Sequence, residues 1–272
     1  MNTHNCETCP VHNVSNLTKL GINMENFDYV VALAGNPNTG KSTVFNNLTG
    51  LRQHTGNWPG KTVTRAEGGF QFNNSKYKLV DLPGTYSLLS TSTDEEVARD
   101  FILFGQPDVT VVVVDATRLE RNLNLVLQVL EITDRVVVCL NLMDEARRHN
   151  LSVDERTLMK ELGVPVVPAA ARQKEGMDNL LKYIDEVATG KFVCKPFRTK
   201  NKLKDLSRAV SSLSKMIDKE FPGLPNSRWV ALRLLEGDQK IIDAIRDDEL
   251  GKLTRTGDKK EEEVFIEESL NE

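Results

Sequence analysis

The chain has 272 residues, of which 39% are hydrophobic and 27% charged, and its net charge is −4. These totals are typical of a soluble globular protein with one large or two unequal domains, and the acidic balance argues against a nucleic-acid partner. No apolar run approaches the roughly 18 residues that a membrane-spanning helix needs. The chain also opens without the apolar core of a secretory signal, and four cysteines do not make a disulfide scaffold. We therefore expect a reducing, cytoplasmic setting.

The first 26 residues are polar and show no sustained periodicity, so we expect a flexible extension. They contain His4, Cys6, Cys9 and His12 in the pattern H-x-C-x₂-C-x₂-H. Thiolates and imidazoles this close together could bind a transition metal or form a redox pair. The alternative, which so short a segment with almost no core favours, is a tail whose cysteines have no role.

A phosphate-binding pattern follows an apolar run of strand length at residues 29–34. It fits G-x-x-x-x-G-K-[ST] without a mismatch, as Gly35, Asn36, Pro37, Asn38, Thr39, Gly40, Lys41 and Ser42, and Thr43 then opens a helical segment. In such a loop, backbone N–H groups hold an anion, the lysine reaches the β- and γ-phosphates, and the serine hydroxyl is offered to Mg²⁺. The order strand, loop, helix favours nucleoside triphosphate binding over an ordinary turn that carries two glycines.

Residues 53–62 form a stretch rich in Gly, Asn and Pro, a composition that predicts a mobile loop. The stretch ends on Gly60, Lys61 and Thr62, and Thr62 lies 20 residues after Ser42. A hydroxyl at this distance could complete the Mg²⁺ shell when a γ-phosphate is present. Taken alone, a threonine at this position is more often a plain loop residue, and Thr62 gains weight only from the motif that follows.

Another pattern begins where the predicted strand at residues 77–80 ends, before a second mobile segment that starts at Thr85. Its residues are Asp81, Leu82, Pro83 and Gly84, which spell D-x-x-G 39 residues after Ser42. Ligands of doubly wound sheets bind at the carboxyl ends of the strands. Asp81 could hold Mg²⁺ through water there, and the Gly84 N–H could meet the γ-phosphate.

Strand-like runs alternate with helical patterns over the rest of the first 190 residues. The periodicity predicts strands near 109–114, 135–140 and 164–167, and helices near 93–104, 119–132, 151–162 and 177–187. Such alternation predicts a parallel sheet with right-handed crossovers.

Asn141, Leu142, Met143 and Asp144 fit N-x-x-D, a pattern that reads guanine. The carboxylate accepts from N1–H and the 2-amino group of guanine, and adenine offers neither, so a site built for those donors rejects adenine. A strand-end asparagine followed by a helix-capping aspartate is the alternative. The loop expected behind the base contains Ala170 and Ala171.

A composition shift near residue 190 predicts a domain boundary, which gives an extension at 1–26, a nucleotide domain at 27–190 and a third region at 191–272. Strand signals are absent from about residue 195 onward. Helical spacing at 203–217, 229–235 and 241–245 predicts a small helical module that docks on the nucleotide domain. The acidic stretch 259–272 is expected to be disordered or to end a helix.

Taken together, these strings resemble the cytoplasmic N-terminal region of the ferrous-iron transporter B (FeoB) family over about residues 27–250. Besides the phosphate loop and N-x-x-D, the matching strings are GNWPG at 56–60, VDLPGTYSL at 80–88, ERNL at 120–123 and RW at 228–229. The resemblance implies a P-loop GTPase domain with a mostly parallel doubly wound sheet, followed by a small all-α spacer held to favour the GDP-bound state. In that family a polytopic membrane domain that carries Fe²⁺ follows.

By this resemblance the chain would act on the cytoplasmic side of the inner membrane, with that membrane domain as its partner. Small iron-transport accessory proteins and further copies of the chain stay open as partners. The implied cofactors are GTP or GDP, Mg²⁺ and K⁺, and the implied activity is slow, K⁺-stimulated GTP hydrolysis that controls Fe²⁺ uptake. A soluble ribosome- or tRNA-associated GTPase, and a binding module with negligible turnover, are the alternatives.

The resemblance also assigns individual residues. Asn38 matches the asparagine that helps hold K⁺ in potassium-activated G proteins, where the cation supplies charge otherwise given by an arginine finger. Thr62 matches the first-switch threonine, and Trp58 matches a switch aromatic, although a surface-packed loop tryptophan is its alternative. The residues expected to act in hydrolysis are Lys41, Asn38, Thr62 and Gly84.

Three positions depart from common G-protein patterns. Thr85 stands where Ras-type enzymes place the glutamine that orients the attacking water, so no side chain is assigned that task. Leu142 replaces the lysine of N-K-x-D, which removes one stacking contact on the base. Ala170 stands where the base loop usually has serine.

Overall fold

A computed structural model describes residues 12, 14–50, 53–89, 92–197, 204–222, 224 and 226–247. The chain divides into two compact units, Met1–Arg198 and Thr199–Glu272. The candidate metal ligands His4, Cys6 and Cys9 lie outside the described residues, as does the acidic stretch 259–272.

The first unit is built on one sheet of seven strands. The strands are β1 (Tyr29–Gly35), β2 (Gln53–Asn57), β3 (Thr64–Phe72), β4 (Ser75–Asp81), β5 (Val109–Asp115), β6 (Val136–Asn141) and β7 (Val166–Pro168). Their order is β2-β3-β4-β1-β5-β6-β7. β4, β1, β5, β6 and β7 run parallel, whereas β2 and β3 pair antiparallel at one edge. The mostly parallel doubly wound sheet expected from the sequence is therefore confirmed.

Helices cover both faces of this sheet. They are α1 (Val14–Lys19), α2 (Lys41–Thr49), α3 (Thr93–Asp100), α4 (Leu119–Ile132), α5 (Met143–Arg148), α6 (Glu155–Leu162) and α7 (Met177–Ala188), and a π-helical turn, Phe101–Gly105, continues α3. α2 and α7 pack with alternate residues of β1, β5 and β6 in one apolar core. α4 contacts β5 and β6 outside that core and so covers the other face. Every residue of β1 and β6 is buried, as expected for strands covered on both sides.

The loop predicted at residues 53–62 is only partly a loop. Gln53–Asn57 forms β2, which pairs antiparallel with β3 from Gln53 opposite Gly68 to Asn57 opposite Thr64. Strand pairing is carried by the backbone, so the exposed edge of β3 recruits a segment whose side chains have little strand preference. The turn from Trp58 to Val63 remains, closed by a hydrogen bond from Trp58 N–H to the Val63 carbonyl, 3.0 Å.

The expectation of a flexible extension is wrong for the residues just before β1. Val14–Lys19 forms the one-and-a-half-turn helix α1, and Leu17 and Ile22 are fully buried. Two buried apolar residues are too few to produce a periodic signal in the sequence, but their burial at about 1.5–3 kcal/mol each is enough to hold a short segment in place. A second helix without a sequence signal, α5, follows β6 directly, and α6 begins at Glu155 with Asp154 as its N-cap.

The second unit is helical over its described residues. It contains α8 (Lys204–Glu220), α9 (Ser227–Leu235) and α10 (Gln239–Arg246), in agreement with the predicted helical module. α9 contacts both of the others, and the buried residues of this unit include Trp229 on α9 and Ile241 on α10. In neither unit does a described helix have the length and apolar character that crossing a bilayer requires.

Candidate functional site

The phosphate loop connects the end of β1 to the start of α2. Gly40 caps α2 in the left-handed conformation, with φ 81°, and its carbonyl accepts from the N–H groups of Thr43 and Val44 at 3.0 and 3.1 Å. Within the loop, the Thr39 hydroxyl donates to the Asn36 carbonyl at 2.9 Å. The N-terminus of α2 therefore opens at the carboxyl edge of the sheet, where its N–H groups and dipole attract an anion.

Two glycines of the loop are required by their surroundings. A Cβ at Gly35 would lie 2.7 Å from the Val113 carbonyl oxygen on β5. A Cβ at Gly40 would collide with the Asn141 side-chain amide, and the positive φ there already disfavours other residues. The first and last glycines of the motif thus let the loop fit against β5 and the end of β6.

Lys41 and Asp81, which the sequence assigns to phosphate and Mg²⁺, lie side by side. The Lys41 ammonium donates to the Asp81 carboxylate and to the Leu82 carbonyl, the latter at 2.7 Å. Both side chains are largely buried. Burial raises the pKa of Asp81 above its ordinary value, and the neighbouring Lys41 charge opposes that rise. A bound triphosphate would compete with Asp81 for the lysine.

Oxygen atoms suited to Mg²⁺ are present beside this pair. Ser42 is exposed in the first turn of α2. Hydroxyl and carboxylate oxygens are the ligands Mg²⁺ prefers, and nucleotide sites usually complete its shell with phosphates and water. No group of three or more His, Cys, Asp or Glu among the described residues could hold a metal alone. The donor set therefore fits a Mg²⁺ that arrives with a nucleotide.

Asn141 ties the phosphate loop to the loop after β7. Its amide nitrogen donates to the Thr39 carbonyl at 2.9 Å, and its amide oxygen accepts from Ala171 N–H at 3.0 Å. The side chain is 1% exposed. The sequence pattern assigned Asn141 to guanine recognition. In the structure its side chain connects the two loops through hydrogen bonds, a role that the pattern N-x-x-D alone does not predict.

Asp144 lies in the first turn of α5, at the same edge of the sheet. Its carboxylate accepts from Arg148 and from Gln173 Nε2, both at 3.4 Å. These long contacts leave acceptor capacity for donors of a base. Leu142, with φ 63°, turns the chain from β6 into α5, and buried Ala170 lies in the facing loop. The structure thus brings the N-x-x-D residues and the base loop together. It also adds Gln173, which no sequence pattern identified.

A cavity of about 380 Å³ lies against the phosphate loop. Its walls come from the phosphate loop, from the region where β5 leads into α4, from the start of α5, and from Tyr86, which lies two residues after the D-x-x-G motif. The lining residues are Asn36, Pro37, Asn38, Thr39, Gly40, Tyr86, Asp115, Thr117, Arg118, Arg121, Asn122, Leu142 and Glu145. Asn38 stands there with φ 67°, and within the described part of the chain its carboxamide has no hydrogen-bond partner. The Arg121 guanidinium lies 4.2 Å from the Tyr86 ring centroid, a contact that sequence reasoning missed.

Two segments are predicted to act as switches. The first switch is the stretch 53–62, and the second switch is the D-x-x-G segment with Thr85, Tyr86 and Ser87 after it. They differ in their contacts with the phosphate loop. Gly84 packs on Pro37, and Thr85 N–H donates to the Gly35 carbonyl at 3.2 Å. Thr62 lies at the same edge of the sheet, because Ala66 pairs with Asp81, but it is exposed and does not line the cavity. The structure therefore brings the second switch to the phosphate loop, whereas Thr62 makes no hydrogen bond to that loop within the described part of the chain.

Trp58 is buried rather than displayed on the first switch. It is 3% exposed, its ring meets Phe101 edge-on at 5.5 Å, and the Arg65 guanidinium lies 5.5 Å from its centroid. This arrangement agrees with the alternative given for Trp58 in the sequence analysis, a loop tryptophan that packs on its own domain.

Comparison with known proteins assigns both units. The family model for ferrous iron transport protein B matches residues 29–184, and the model for the FeoB cytosolic helical domain matches residues 204–271. The chain belongs to the FeoB family. Its first unit is thus the FeoB G domain, a P-loop GTPase fold, and its second is the FeoB helical domain. Residues 14–28 lie outside both matched ranges.

FeoB relatives agree in sequence and in structure. The Fe(2+) transporters FeoB of Shigella flexneri and of Escherichia coli K12 are each 42% identical over 212 residues, which cover 76% of this chain and 27% of theirs. The chain therefore spans about a quarter of the length of these relatives. The cytosolic domain of the T. maritima FeoB iron transporter in apo form has 35% identity and a TM-score of 0.73, over 83% of this chain and 86% of that one. The cytosolic domain of L. pneumophila FeoB has 34% identity and a TM-score of 0.72, over 84% and 90%.

Proposed function

We propose that this chain is the GTP-binding and GTP-hydrolysing regulatory portion of a ferrous-iron transporter. The observation that carries the proposal is the meeting, at one edge of the sheet, of the phosphate loop, the Lys41–Asp81 pair and Asp144. An anion site, an oxygen site for Mg²⁺ and a carboxylate positioned for guanine are the parts that GTP recognition requires.

Different residues of the chain would bind the phosphates, the guanine base and Mg²⁺. The N–H groups of the loop and the Lys41 ammonium hold the phosphates, and Asp144 accepts from the guanine N1–H and 2-amino groups. Ser42, with Asp81 through water, would hold Mg²⁺, which when bound offsets phosphate charge. Lys41 must leave Asp81 to reach the phosphates, so nucleotide binding exchanges one ion pair for another.

The switch segments would respond to the terminal phosphate. Gly84 already lies against Pro37, where its N–H could meet a γ-phosphate, whereas Thr62 must approach from its exposed turn. Loss of the γ-phosphate removes the contacts that hold both segments. The chain would therefore cycle between a GTP arrangement with Thr62 at the loop and a GDP arrangement with Thr62 released.

Hydrolysis by this site should be slow and stimulated by K⁺. Thr85 offers no carboxamide to orient the attacking water, and its hydroxyl is bonded to the Ser87 carbonyl at 2.7 Å. Asn38 presents a neutral oxygen beside the loop, a ligand type suited to a monovalent cation, which would supply the transition-state charge that an arginine finger gives in other G proteins.

The larger role follows from the relatives. They are Fe(2+) transporters of which this chain matches about a quarter, so we propose that a membrane domain that carries Fe²⁺ is its partner. The chain would then lie on the cytoplasmic side of the cell membrane, and its nucleotide state would control Fe²⁺ uptake. Accessory iron-transport proteins and self-association are further proposed partners.

Calorimetry with GDP, a non-hydrolysable GTP analogue and ADP, in Mg²⁺ buffer, tests the nucleotide assignment. We expect binding of both guanine nucleotides and no measurable binding of ADP; preference for ADP, or no binding of any, would overturn it. Turnover measured in K⁺ and in Na⁺ tests the cation. We expect faster hydrolysis in K⁺, and Asn38→Ala should lose that response while it retains GDP binding.

A further inference from the structure

We propose that His12 and residues 14–22 form an intramolecular clasp on the first switch and on the α3 region that follows the second switch. In this proposal the clasp stabilises the arrangement described above, in which the exposed Thr62 makes no hydrogen bond to the phosphate loop. Docking of the clasp and binding of GTP then oppose each other. The inference rests on the proposed function, because the switches respond to GTP only if the chain binds it.

One side of the clasp packs on the continuation of α3. Leu17 is fully buried, and Asn16 Nδ2 donates to the Phe104 carbonyl at 3.1 Å. A Cβ at Gly105 would lie 3.2 Å from the Leu17 side chain, so the two segments approach closely. The π-helical turn Phe101–Gly105 continues α3 without a break, and α3 follows the D-x-x-G segment. The clasp therefore contacts the helical element that follows the second switch in the chain.

The other side of the clasp reaches the first switch. Arg65 Nη1 donates to the Leu20 carbonyl at 2.8 Å. Gly21 has φ 78°, and a Cβ there would meet both the Arg65 guanidinium and, at 3.2 Å, the Pro59 ring. Because Arg65 also lies over the Trp58 ring, the clasp holds the base of the turn that carries Thr62.

Beside the clasp, the first switch also contacts the α3 region. The Trp58 ring meets Phe101 edge-on at 5.5 Å, and the Lys61 ammonium lies 2.8 Å from a Glu96 carboxylate oxygen. The buried aromatic pair and the ion pair both join the first switch to the α3 region. The clasp thus covers a seam between the first switch and the α3 region.

The clasp is anchored to a rigid part of the sheet. His12 Nδ1 lies 2.7 Å from Asp108 Oδ2, and that carboxylate, fully buried, also accepts from Val30 N–H at 2.8 Å. Val30 is the second residue of β1. The segment is therefore fixed at one end to the central sheet and along its length to the seam.

The direction of the coupling follows from Thr62. To reach a γ-phosphate, the turn from Trp58 to Val63 must move toward the loop, and it cannot do so while Pro59 and Arg65 keep their contacts with Leu20 and Gly21. Contacts made only in the present arrangement stabilise that arrangement against the closed one. This linkage is reciprocal. If docking of the clasp lowers the affinity for GTP by a given factor, bound GTP must lower the equilibrium constant for docking by the same factor.

A matched pair of substitutions on α1 tests this coupling in the full chain. Leu17→Asp places a charge at the buried face, and Ser15→Asp places the same charge on the exposed face of the same helix. With Leu17→Asp we expect the affinity for a non-hydrolysable GTP analogue to rise roughly fivefold or more, the lower range of allosteric coupling. GDP affinity should not change, and Ser15→Asp should match the unsubstituted chain for both nucleotides.

Hydrogen exchange on the unsubstituted chain tests the reciprocal effect without any substitution. We expect amides of residues 14–22 to exchange faster with the GTP analogue than with GDP. If both nucleotides bind but neither the affinity ratio nor the exchange differs, the clasp is overturned and the proposed function stands. If neither nucleotide binds, the proposed function itself fails. Should Leu17→Asp fail to fold, the exchange comparison decides alone.

Discussion

The Lys41 ammonium donates to the Asp81 carboxylate, and both side chains are largely buried. Burial raises the pKa of Asp81 and Lys41 lowers it, so Lys41→Met should raise that pKa further. A carboxyl with a raised pKa in the folded state binds its proton more tightly when folded. The free energy of unfolding of Lys41→Met should therefore fall as pH rises from the ordinary carboxyl pKa through the raised one.

Carbon-13 NMR titration of the Asp81 carboxyl measures this shift, and calorimetry should show that Lys41→Met no longer binds GTP. Lys182→Met, at an exposed lysine near Glu186, is the control that should change neither property. An unchanged Asp81 titration in Lys41→Met would contradict the assigned coupling.

Asp144 should decide which base the site accepts. Asp144→Asn replaces a carboxylate acceptor by an amide that can donate, which suits the 2-carbonyl of xanthine instead of the 2-amino group of guanine. We expect GTP affinity to fall roughly 100-fold or more while xanthosine triphosphate becomes the preferred ligand. Glu145→Gln makes the same kind of change one residue away and should leave the preference for GTP intact. Retained guanine preference in Asp144→Asn would remove this residue from base recognition.

Asn141 should support affinity without setting specificity. Asn141→Ala leaves the Thr39 carbonyl and the Ala171 N–H without their partner, at a cost of about 1–3 kcal/mol in stability. We expect a lower melting temperature and weaker binding of GDP and of GTP analogue alike, with guanine still preferred over adenine. Asn124→Ala, at an exposed position of α4, is the matched control. A variant that keeps its melting temperature but accepts adenine would show that Asn141 reads the base directly.

Local motifs predicted the site better than they predicted its surroundings. The phosphate loop and Asp144 were identifiable because strand, turn and helix start lie within a few residues of each other. β2 was missed because its pairing comes from the edge of β3, and α1 because only Leu17 and Ile22 bury apolar surface there.

Contacts between segments that are far apart in the chain could not be predicted from the sequence pattern. Asn141 joins loops that are far apart in the chain, and the stacking of Arg121 on Tyr86 depends on where the second switch lies. A spacing rule could place Thr62 at the correct edge of the sheet, but its distance from the phosphate loop depends on how the turn packs.

Tyr77 and Asp185 should contribute to stability without affecting nucleotide binding. The Tyr77 hydroxyl donates to Asp185 at 2.6 Å, and its ring stacks on both Tyr29 and Phe70. Tyr77→Phe keeps the stacked ring and removes one donor from a buried carboxylate, which should cost about 1–3 kcal/mol. Urea unfolding measures this loss, and calorimetry with GDP should show unchanged affinity.

The same pair predicts a dependence on alkaline pH. Burial and the bond to Asp185 raise the pKa of Tyr77, whereas the unfolded chain ionises at the ordinary tyrosine value. The free energy of unfolding of the unsubstituted chain should therefore fall as pH rises above that value, and Tyr77→Phe should lessen the fall because the ionising group is gone. Tyr183→Phe, at a half-buried ring beside Phe192, retains the ionisation of Tyr77 and should reproduce the unsubstituted pH profile. Equal pH profiles for Tyr77→Phe and Tyr183→Phe would show that Tyr77 ionises alike in the folded and unfolded chain.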